Sequence, residues 1–310
     1  MFRSSGIHHI TAISSDPRRT VTFYTQALGL RLVKRTINFD DPFSWHVYFG
    51  DERGSPGTAL TFFGRSLPPG RNGPGMVVSI AFAVPQHSLS YWTHRLAERG
   101  IPAHRVESRA GNATLTFRDP DGLQAELVAT DEVENGATWT IGEIPKEHAI
   151  RGFYGAGLCA RDMQPTKDIL VDALGFEIVE FDQKSFRLRS PGSRLANFIS
   201  IEVAQEPNAG AMGAGSIHHI AFRASNEQAQ IYMAERARIR GLNPTEQIDR
   251  CYFRSVYFRE PSGILFEIAT DQPGFTVDEP LEKLGSAIML PKWYEPRRAE
   301  IEGALTPLAQ

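Results

Sequence analysis

Apolar residues along the chain fall into short runs typical of β-strands, and these runs alternate with helical patterns. One series begins with an apolar run at residues 79–84, passes through a helical pattern at residues 89–100 and ends in strand-like runs up to residue 131. A glycine closes the helical pattern, and a Pro-x-Gly turn separates the last two strands. The pattern predicts a unit of one strand, one helix and three strands.

The same unit recurs along the chain, and an internal repeat constrains the architecture more strongly than single elements do. Residues 219–271 repeat the series in the same order: 47 residues separate Ser79 from Glu126, and 48 separate His219 from Glu267. Weaker copies occupy residues 7–63 and 152–203. We therefore predict four βαβββ modules of about sixty residues each.

A module of this kind buries only one face of its sheet, so two modules must pack together to make a domain. The predicted fold is α+β, with the four βαβββ modules paired into two open-barrel domains. The sequence divides into residues 1–131 with modules one and two, a polar joint at 132–151, residues 152–275 with modules three and four, and a tail at 276–310. We expect the tail to dock on the surface of the paired modules.

Composition and charge narrow the class of protein without indicating a partner. Of the 310 residues 41% are apolar, and the formal net charge is −3, so we expect neither disorder nor general attraction to nucleic acid or anionic membranes. Cys159 and Cys251 lack the spacing of a zinc cluster or a disulfide framework, which favours a reducing cytoplasm. The pattern shows no signal peptide and no run of about 18 apolar residues, so we expect a protein that is neither secreted nor membrane-spanning.

Two adjacent histidine pairs occupy equivalent positions in modules one and four, His8-His9 and His218-His219. Adjacent side chains of a regular strand point to opposite faces, so one histidine of each pair should face the interior, where an unpaired imidazole is unfavourable. Glu267 lies in an otherwise apolar strand and also needs a partner. Two imidazoles and one carboxylate form the facial triad that leaves positions open on a divalent metal ion.

The ligand hypothesis depends on which modules pair. A single strand histidine is more often an ordinary hydrogen-bonded residue, but its recurrence at equivalent positions favours a ligand. Pairing of consecutive modules would give each domain one histidine and one glutamate, whereas pairing of module one with module four collects His9, His219 and Glu267 in one sheet. We favour this single complete site. Modules two and three then hold a remnant without imidazoles, predicted at Ser79, Leu158 and Glu126, the last being a former ligand or a strand residue paired with an arginine.

Three segments are distinctive beyond the repeat: Leu32-Val-Lys-Arg-Thr-Ile-Asn-Phe-Asp-Asp-Pro, the stretch from His46 to Phe63, and Glu147-His-Ala-Ile-Arg-Gly-Phe153. With the four modules and the histidine pairs, the chain resembles the vicinal oxygen chelate superfamily, which includes glyoxalases and extradiol dioxygenases. To about residue 290 it resembles more specifically the ring-cleaving dioxygenases of the hydroquinone 1,2-dioxygenase type. The resemblance implies two open-barrel vicinal oxygen chelate domains.

The resemblance also implies a set of metal ligands. In that family the second histidine of each pair and the late glutamate hold Fe(II), which carries over to His9, His219 and Glu267, with O2 as co-substrate. Mn(II) also accepts two imidazoles and a carboxylate, so the residues leave the identity of the metal open.

Four further residues are implied as catalytic. His8 and His218 would lie beside the ligands and move the substrate proton, although strict strand alternation points them away from the metal. Arg250 and Tyr257 match an arginine and a tyrosine of the family, and would stabilise negative charge and donate a hydrogen bond. One departure from the family is Tyr154, because relatives often have a histidine there.

The implied function is that of an enzyme, a non-haem Fe(II) extradiol-type dioxygenase that opens a hydroquinone-like, optionally chlorinated, aromatic diol next to a hydroxyl-bearing carbon. Its partners would be a small aromatic substrate and further copies of the chain in a homo-oligomer. A glyoxalase-type lyase or isomerase is disfavoured because we place Phe62 where its second carboxylate would stand. A non-catalytic binding or resistance protein is disfavoured because the full triad is retained. Candidate walls of an aromatic pocket are Phe39, Phe43 and Trp45.

Overall fold

Four βαβββ modules make up most of the computed structural model, which describes residues 2–107, 112–132, 138–139, 142–205 and 208–308. Side chains of Asp16, Asp162 and Asn226 accept backbone hydrogen bonds at the starts of three of the helices, as N-cap residues do. Modules one and two comprise β1 (Ile7–Ser14), α1 (Pro17–Thr22, continued by a π-helical turn Phe23–Ala27), β2 (Arg31–Asn38), β3 (Asp41–Gly50), β4 (Ala59–Gly64), β5 (Met76–Pro85), α2 (Leu89–Glu98), β6 (Ala103–Glu107), β7 (Ala113–Arg118) and β8 (Gln124–Thr130).

Modules three and four repeat this order of elements, and one short helix follows them in the tail. They comprise β9 (Phe153–Ala160), α3 (Met163–Asp172), β10 (Glu177–Phe181), β11 (Ser185–Arg189), β12 (Phe198–Val203), β13 (Ile217–Ala224), α4 (Glu227–Ile239), β14 (Ile248–Asp249), β15 (Arg254–Arg259), β16 (Leu265–Thr270) and α5 (Arg298–Ala304). None of the described helices is long and apolar enough to span a membrane.

The strands form two eight-stranded sheets, each curled into a half-barrel. The first sheet has the order β14-β15-β16-β13-β1-β4-β3-β2 and the second the order β10-β11-β12-β9-β5-β8-β7-β6. Module four thus joins module one through the antiparallel pair β1 and β13, and module two joins module three through β5 and β9. The predicted α+β fold and the predicted pairing of module one with module four are confirmed.

The division of the sequence into two consecutive domains does not describe the sheets. We divided the sequence into residues 1–131 and residues 152–275 with two modules each, and each of these segments contributes one module to each sheet. Modules one and two do not share a sheet, and neither do modules three and four, because module one pairs with module four and module two with module three. The hydrophobic core is likewise shared, since one buried cluster includes Ile10 and Phe222 of the first sheet together with Phe82 and Leu158 of the second.

The tail docks on module one, in agreement with the expectation that it lies on the paired modules. The backbone N–H of Met289 donates to the carbonyl of Arg35 at 2.9 Å, and the indole of Trp45 donates to the carbonyl of Thr306 at 2.8 Å. The fully buried Lys34 lies within hydrogen-bond distance of carboxylates from the tail. Because β2 is an edge strand, the tail covers backbone groups that would otherwise face solvent.

Candidate metal centre

The three predicted ligands converge in the first sheet. His9 lies on β1, His219 on β13 and Glu267 on β16, and the Oε2 atom of Glu267 is 3.2 Å from Nε2 of His9 and 3.0 Å from Nε2 of His219. All three side chains are buried. One nitrogen or oxygen atom from each lies within 4.8 Å of the others, which is the spacing of atoms that share one ion.

Strand register explains why residues 210 positions apart in sequence meet here. His9 is paired with Ala221 across β1 and β13, and Ala221 is paired with Glu267 across β13 and β16. His219 precedes Ala221 by two residues, so it lies on the same face of the sheet. The pairing of module one with module four therefore creates the cluster.

The buried carboxylate carries the strongest indication that a cation belongs here. Ser255 donates a hydrogen bond of 2.5 Å to Oε1 of Glu267, whereas the buried Oε2 accepts no well-formed hydrogen bond from any described residue. Burial alone raises the pKa of Glu267, but the imidazoles of His9 and His219 outweigh it and hold that pKa well below its usual value. An ionised, buried oxygen without a donor is unfavourable, so the residues fit a divalent metal ion.

Each histidine pair lies at a β-bulge. The register between β1 and β13 shifts between Ile7 and His9 and again between Thr11 and Ala12, opposite His218. A bulge adds one residue to a strand and rotates its side chain away from the regular alternation. As a result Nδ1 of His8 lies 2.9 Å from Nδ1 of His9, and the same distance separates the Nδ1 atoms of His218 and His219. Because of these bulges, strict strand alternation does not hold at His8 and His218.

The contact within each pair determines where the protons lie when a metal is bound. If His9 and His219 use the Nε2 lone pair for a metal, each must carry its proton on Nδ1 and donate it to the neighbouring histidine. His8 and His218 must then accept at Nδ1 and hold their own proton on Nε2. Burial lowers the pKa of His8 well below its usual value and that of His218 to about 3, so both stay neutral.

The two outer histidines differ in what they reach. His218 lines a cavity beside the three ligands, whereas His8 is buried against the Phe253 ring and hydrogen-bonds to the backbone at Thr270. The structure therefore brings His218 to the cavity and leaves His8 behind His9. His8 contacts His9 through Nδ1 and is not one of the residues that line the cavity.

Arg250 and Tyr257 also line this cavity. Nε of Arg250 donates to the Tyr257 hydroxyl at 3.2 Å, and its guanidinium pairs with Asp40 at 3.2 Å. Burial raises the pKa of Tyr257, which keeps the phenol protonated. Burial alone would lower the pKa of Arg250, but Tyr257 and Asp40 raise it on balance, so the guanidinium stays charged.

The cavity has a volume of about 160 Å³. A cavity of about 150 Å³ accommodates benzene, so this one accommodates a single aromatic ring. Of the three predicted aromatic walls only Phe39 lines it. Phe43 is 44% exposed beside Arg297, and the Trp45 indole packs under the tail. The prediction that Phe43 and Trp45 form walls of the cavity was therefore wrong.

Sequence reasoning missed a polar chain in the cavity wall. The Tyr48 hydroxyl lies 3.0 Å from Nδ1 of His46, Nε2 of His46 lies 2.9 Å from Oγ1 of Thr61, and Thr61 donates to Thr11 at 2.8 Å. Because Thr61 gives its proton to Thr11, His46 donates from Nε2 and accepts from Tyr48. The period-two spacing of His46 and Tyr48, which places them on one face, was the available signal.

Two residues that we predicted to occupy the positions of metal ligands in other modules are displaced from those positions by one or more residues. The register pairs Thr11 with Thr61 as it pairs Ala221 with Glu267, so Thr61, and not Phe62, occupies the place of the second carboxylate. In the second sheet Gly155 replaces Leu158 as the counterpart of His9, because Gly155 pairs with Ala81 as His9 pairs with Ala221. The remnant of the site in the second sheet therefore consists of Gly155, Ser79 and Glu126. No described arginine pairs with Glu126, and burial raises the pKa of its carboxyl group.

Comparison with known proteins agrees with this architecture. The family model of the Glyoxalase/Bleomycin resistance protein/Dioxygenase superfamily matches residues 6–127 and 152–268. The chain is 42% identical to a Bacillus subtilis (strain 168) protein named as a ring-cleaving dioxygenase, MhqO, over 98% of this chain and 97% of that protein. It is 31% identical to the chlorohydroquinone/hydroquinone 1,2-dioxygenase of Sphingobium indicum, over 96% of this chain and 95% of that enzyme.

Solved structures extend the comparison. A crystal structure of a protein described as a dioxygenase from Bacillus subtilis superposes with a TM-score of 0.95 at 41% identity and covers 100% of this chain and 99% of that one. Glyoxalase I from Zea mays superposes with a TM-score of 0.62 at 14% identity, covering 86% of this chain and 92% of that one, and shares the fold. The chain therefore belongs to the Glyoxalase/Bleomycin resistance protein/Dioxygenase superfamily.

Proposed function

We propose that the protein is a metal-dependent ring-cleaving dioxygenase that uses O2 to open a hydroquinone-like aromatic diol next to a hydroxyl-bearing carbon. The observation that supports this most is the cluster of His9, His219 and Glu267, two of whose members, His9 and His219, line a cavity sized for one aromatic ring. The names of the relatives support the same reaction class. Both oxygen atoms enter the product, so the reaction needs no external reductant.

Fe(II) is the metal that we propose, with Mn(II) as the alternative. Two imidazoles and one carboxylate are the ligand set of non-haem Fe(II) oxygenases, and Thr61 supplies a hydroxyl where a fourth protein ligand would stand. When bound by His9, His219 and Glu267, the ion supplies Lewis acidity and a redox centre next to the cavity. The absence of a second carboxylate from this set disfavours a glyoxalase-type proton transfer.

The chain's own residues bind and orient the diol. The rings of Phe39, Phe63 and Phe253 line the cavity, hold the aromatic ring and exclude water. The guanidinium of Arg250 stabilises the ionised hydroxyl of the diol. The Tyr257 hydroxyl accepts from Arg250 and is also in hydrogen-bond contact with Ser255, and we assign it the role of hydrogen-bond partner to an oxygen atom in the cavity.

His218 acts in this proposal as a neutral hydrogen-bond donor. Its Nδ1 is engaged by His219, so it presents Nε2–H to the cavity that it lines. The lowered pKa makes it a poor proton store near neutral pH, which differs from the proton shuttle that the resemblance implied.

The test is reconstitution of the metal-free protein with Fe(II) under anaerobic conditions, followed by O2 uptake with a panel of hydroquinones and catechols. We expect one O2 consumed per diol, with faster uptake for hydroquinones, and no uptake by metal-free protein. Tight binding of diols by fully iron-loaded protein without O2 uptake would instead indicate a binding protein. Isomerisation of a hemithioacetal without O2 uptake would indicate a lyase.

The two outer histidines provide a matched pair of variants. His8→Ala should weaken metal affinity by about 10 to 100-fold, because it removes the group that orients His9. His218→Ala should weaken metal affinity in the same way, because it removes the group that orients His219. In fully metal-loaded protein it should in addition lower kcat by roughly 10²-fold, because a hydrogen-bond donor to the substrate is lost. Metal titration and O2 uptake at saturating metal separate the two effects. Equal kcat values for both loaded variants would remove His218 from the proposed reaction.

A further inference from the structure

Phe39 and Phe253 are the phenylalanine residues of the cavity wall that lie outside the strands. Tyr48, Phe63 and Tyr257 lie in strands, where sheet hydrogen bonds fix the backbone. Phe39 is half-buried in the turn between β2 and β3, outside the paired strands. Its position must therefore be set by contacts from elsewhere.

Those contacts come from the tail. The Tyr294 hydroxyl donates to the carbonyl oxygen of Phe39 at 3.2 Å. The ring of Trp293 meets the Phe39 ring edge-on, with 5.8 Å between centroids, which is a favourable aromatic arrangement. The tail is itself anchored on both sides of this pair, at Met289 and at Thr306.

Residues that line the cavity contact the opposite side of the turn. Asp40, the residue after Phe39, forms the ion pair with Arg250, and its backbone N–H donates to the side chain of Asn38 at 3.0 Å. Asn38 and Arg250 both line the cavity. Phe39 is thus held between the substrate cavity on one side and the tail on the other.

We propose that Trp293 is a specificity-determining residue, which acts as a positioning residue by keeping Phe39 against the cavity and thereby limits substrates to a single ring. This rests on the proposed function only in taking the cavity beside His9, His219 and Glu267 as the substrate site. Trp293 is 54% exposed and lies outside both half-barrels, so its effect on the cavity passes through Phe39. Removal of the indole lets the Phe39 ring swing outward into the space that the indole leaves.

Binding of two phenols that are not diols tests this without turnover. Phenol and 1-naphthol would be titrated calorimetrically into the full-length, Mn(II)-loaded protein in the absence of O2. We expect the wild-type protein to bind phenol and to discriminate against 1-naphthol. Trp293→Ala should raise the affinity for 1-naphthol by at least about 10-fold relative to phenol, since small changes in the fit of an apolar pocket alter selectivity by about 10 to 200-fold.

Two further variants exclude a merely structural effect. Trp293→Phe keeps an aromatic ring against Phe39 and should restore the wild-type selectivity. Phe181→Ala removes a ring that is 72% exposed on the second sheet and should leave the selectivity unchanged. An unchanged naphthol-to-phenol ratio in Trp293→Ala would overturn the inference, as would an equal loss of affinity for both probes.

The outcome for this inference is separable from that for the proposed function. If the wild-type protein consumes no O2 with any diol, the proposed function fails, but the binding selectivity is still measured. If O2 uptake occurs and the selectivity of Trp293→Ala matches that of the wild type, only the inference about the tail fails.

Discussion

Replacement of His9, His219 or Glu267, one at a time, is expected to abolish metal retention and ring cleavage while leaving the fold intact. His9→Ala, His219→Ala and Glu267→Gln each remove one of three protein ligands, and two ligands hold a divalent ion far less tightly. Removal of the buried charge of Glu267 also relieves an oxygen that has no donor, so the fold should tolerate the change. Elemental analysis after gel filtration measures the metal, and circular dichroism checks the fold.

Glu126→Gln is the matched control, because Glu126 occupies the position in the second sheet that Glu267 occupies in the first. This variant should keep the metal content and turnover of the wild-type protein. A folded variant at His9, His219 or Glu267 that retained one metal per chain would show that the ligand was wrongly chosen.

Separate expression of the two halves of the chain is expected to eliminate metal binding in both, and mixing them should restore it. Residues 1–141 contain His9 and residues 142–310 contain His219 and Glu267. Each half also lacks the partner modules for both of its sheets, since β1 pairs with β13 and β5 pairs with β9. Metal content of each fragment and of the co-refolded mixture, measured after gel filtration, provides the readout.

A co-expressed pair of the same two fragments controls for the cut itself. It should bind as much metal as the intact chain, because the cut removes no residue of either sheet. Metal bound by residues 142–310 alone at full stoichiometry would mean that His219 and Glu267 suffice without His9, which contradicts the three-ligand site.

Much of this architecture followed from the repeat. The matching spacings of Ser79 to Glu126 and of His219 to Glu267 revealed the modules, and the distribution of ligand-type residues then selected the pairing of module one with module four. The second inference works because the chemistry of a site requires its residues to meet. The metal ligands themselves, the homo-oligomer and the cytoplasmic location remain predictions.

Register and side-chain direction were less accessible. The bulges at His8 and His218 depend on how two distant strands align, which no local pattern encodes. For the same reason we placed two equivalent positions at Phe62 and Leu158, whereas the register places them at Thr61 and Gly155. Counting along a strand does not identify the equivalent residue when the partner strand is unknown. The support of Phe39 by the tail joins residues 255 positions apart, and no repeat indicates it.

The bulges have a consequence for the history of the molecule. The second sheet has the same register shifts, between Val77 and Ser79 and between Ala81 and Phe82, although no imidazole lies there. A backbone irregularity shared by both sheets is best explained by inheritance from one ancestral module pair. The first sheet uses it to set two histidines, whereas in the second sheet a Cβ atom at Gly155 would collide with the carbonyl of Phe198. A histidine at Gly155 would therefore require the backbone at Phe198 to move, so the second sheet as it stands has no room for an imidazole where the first sheet has His9.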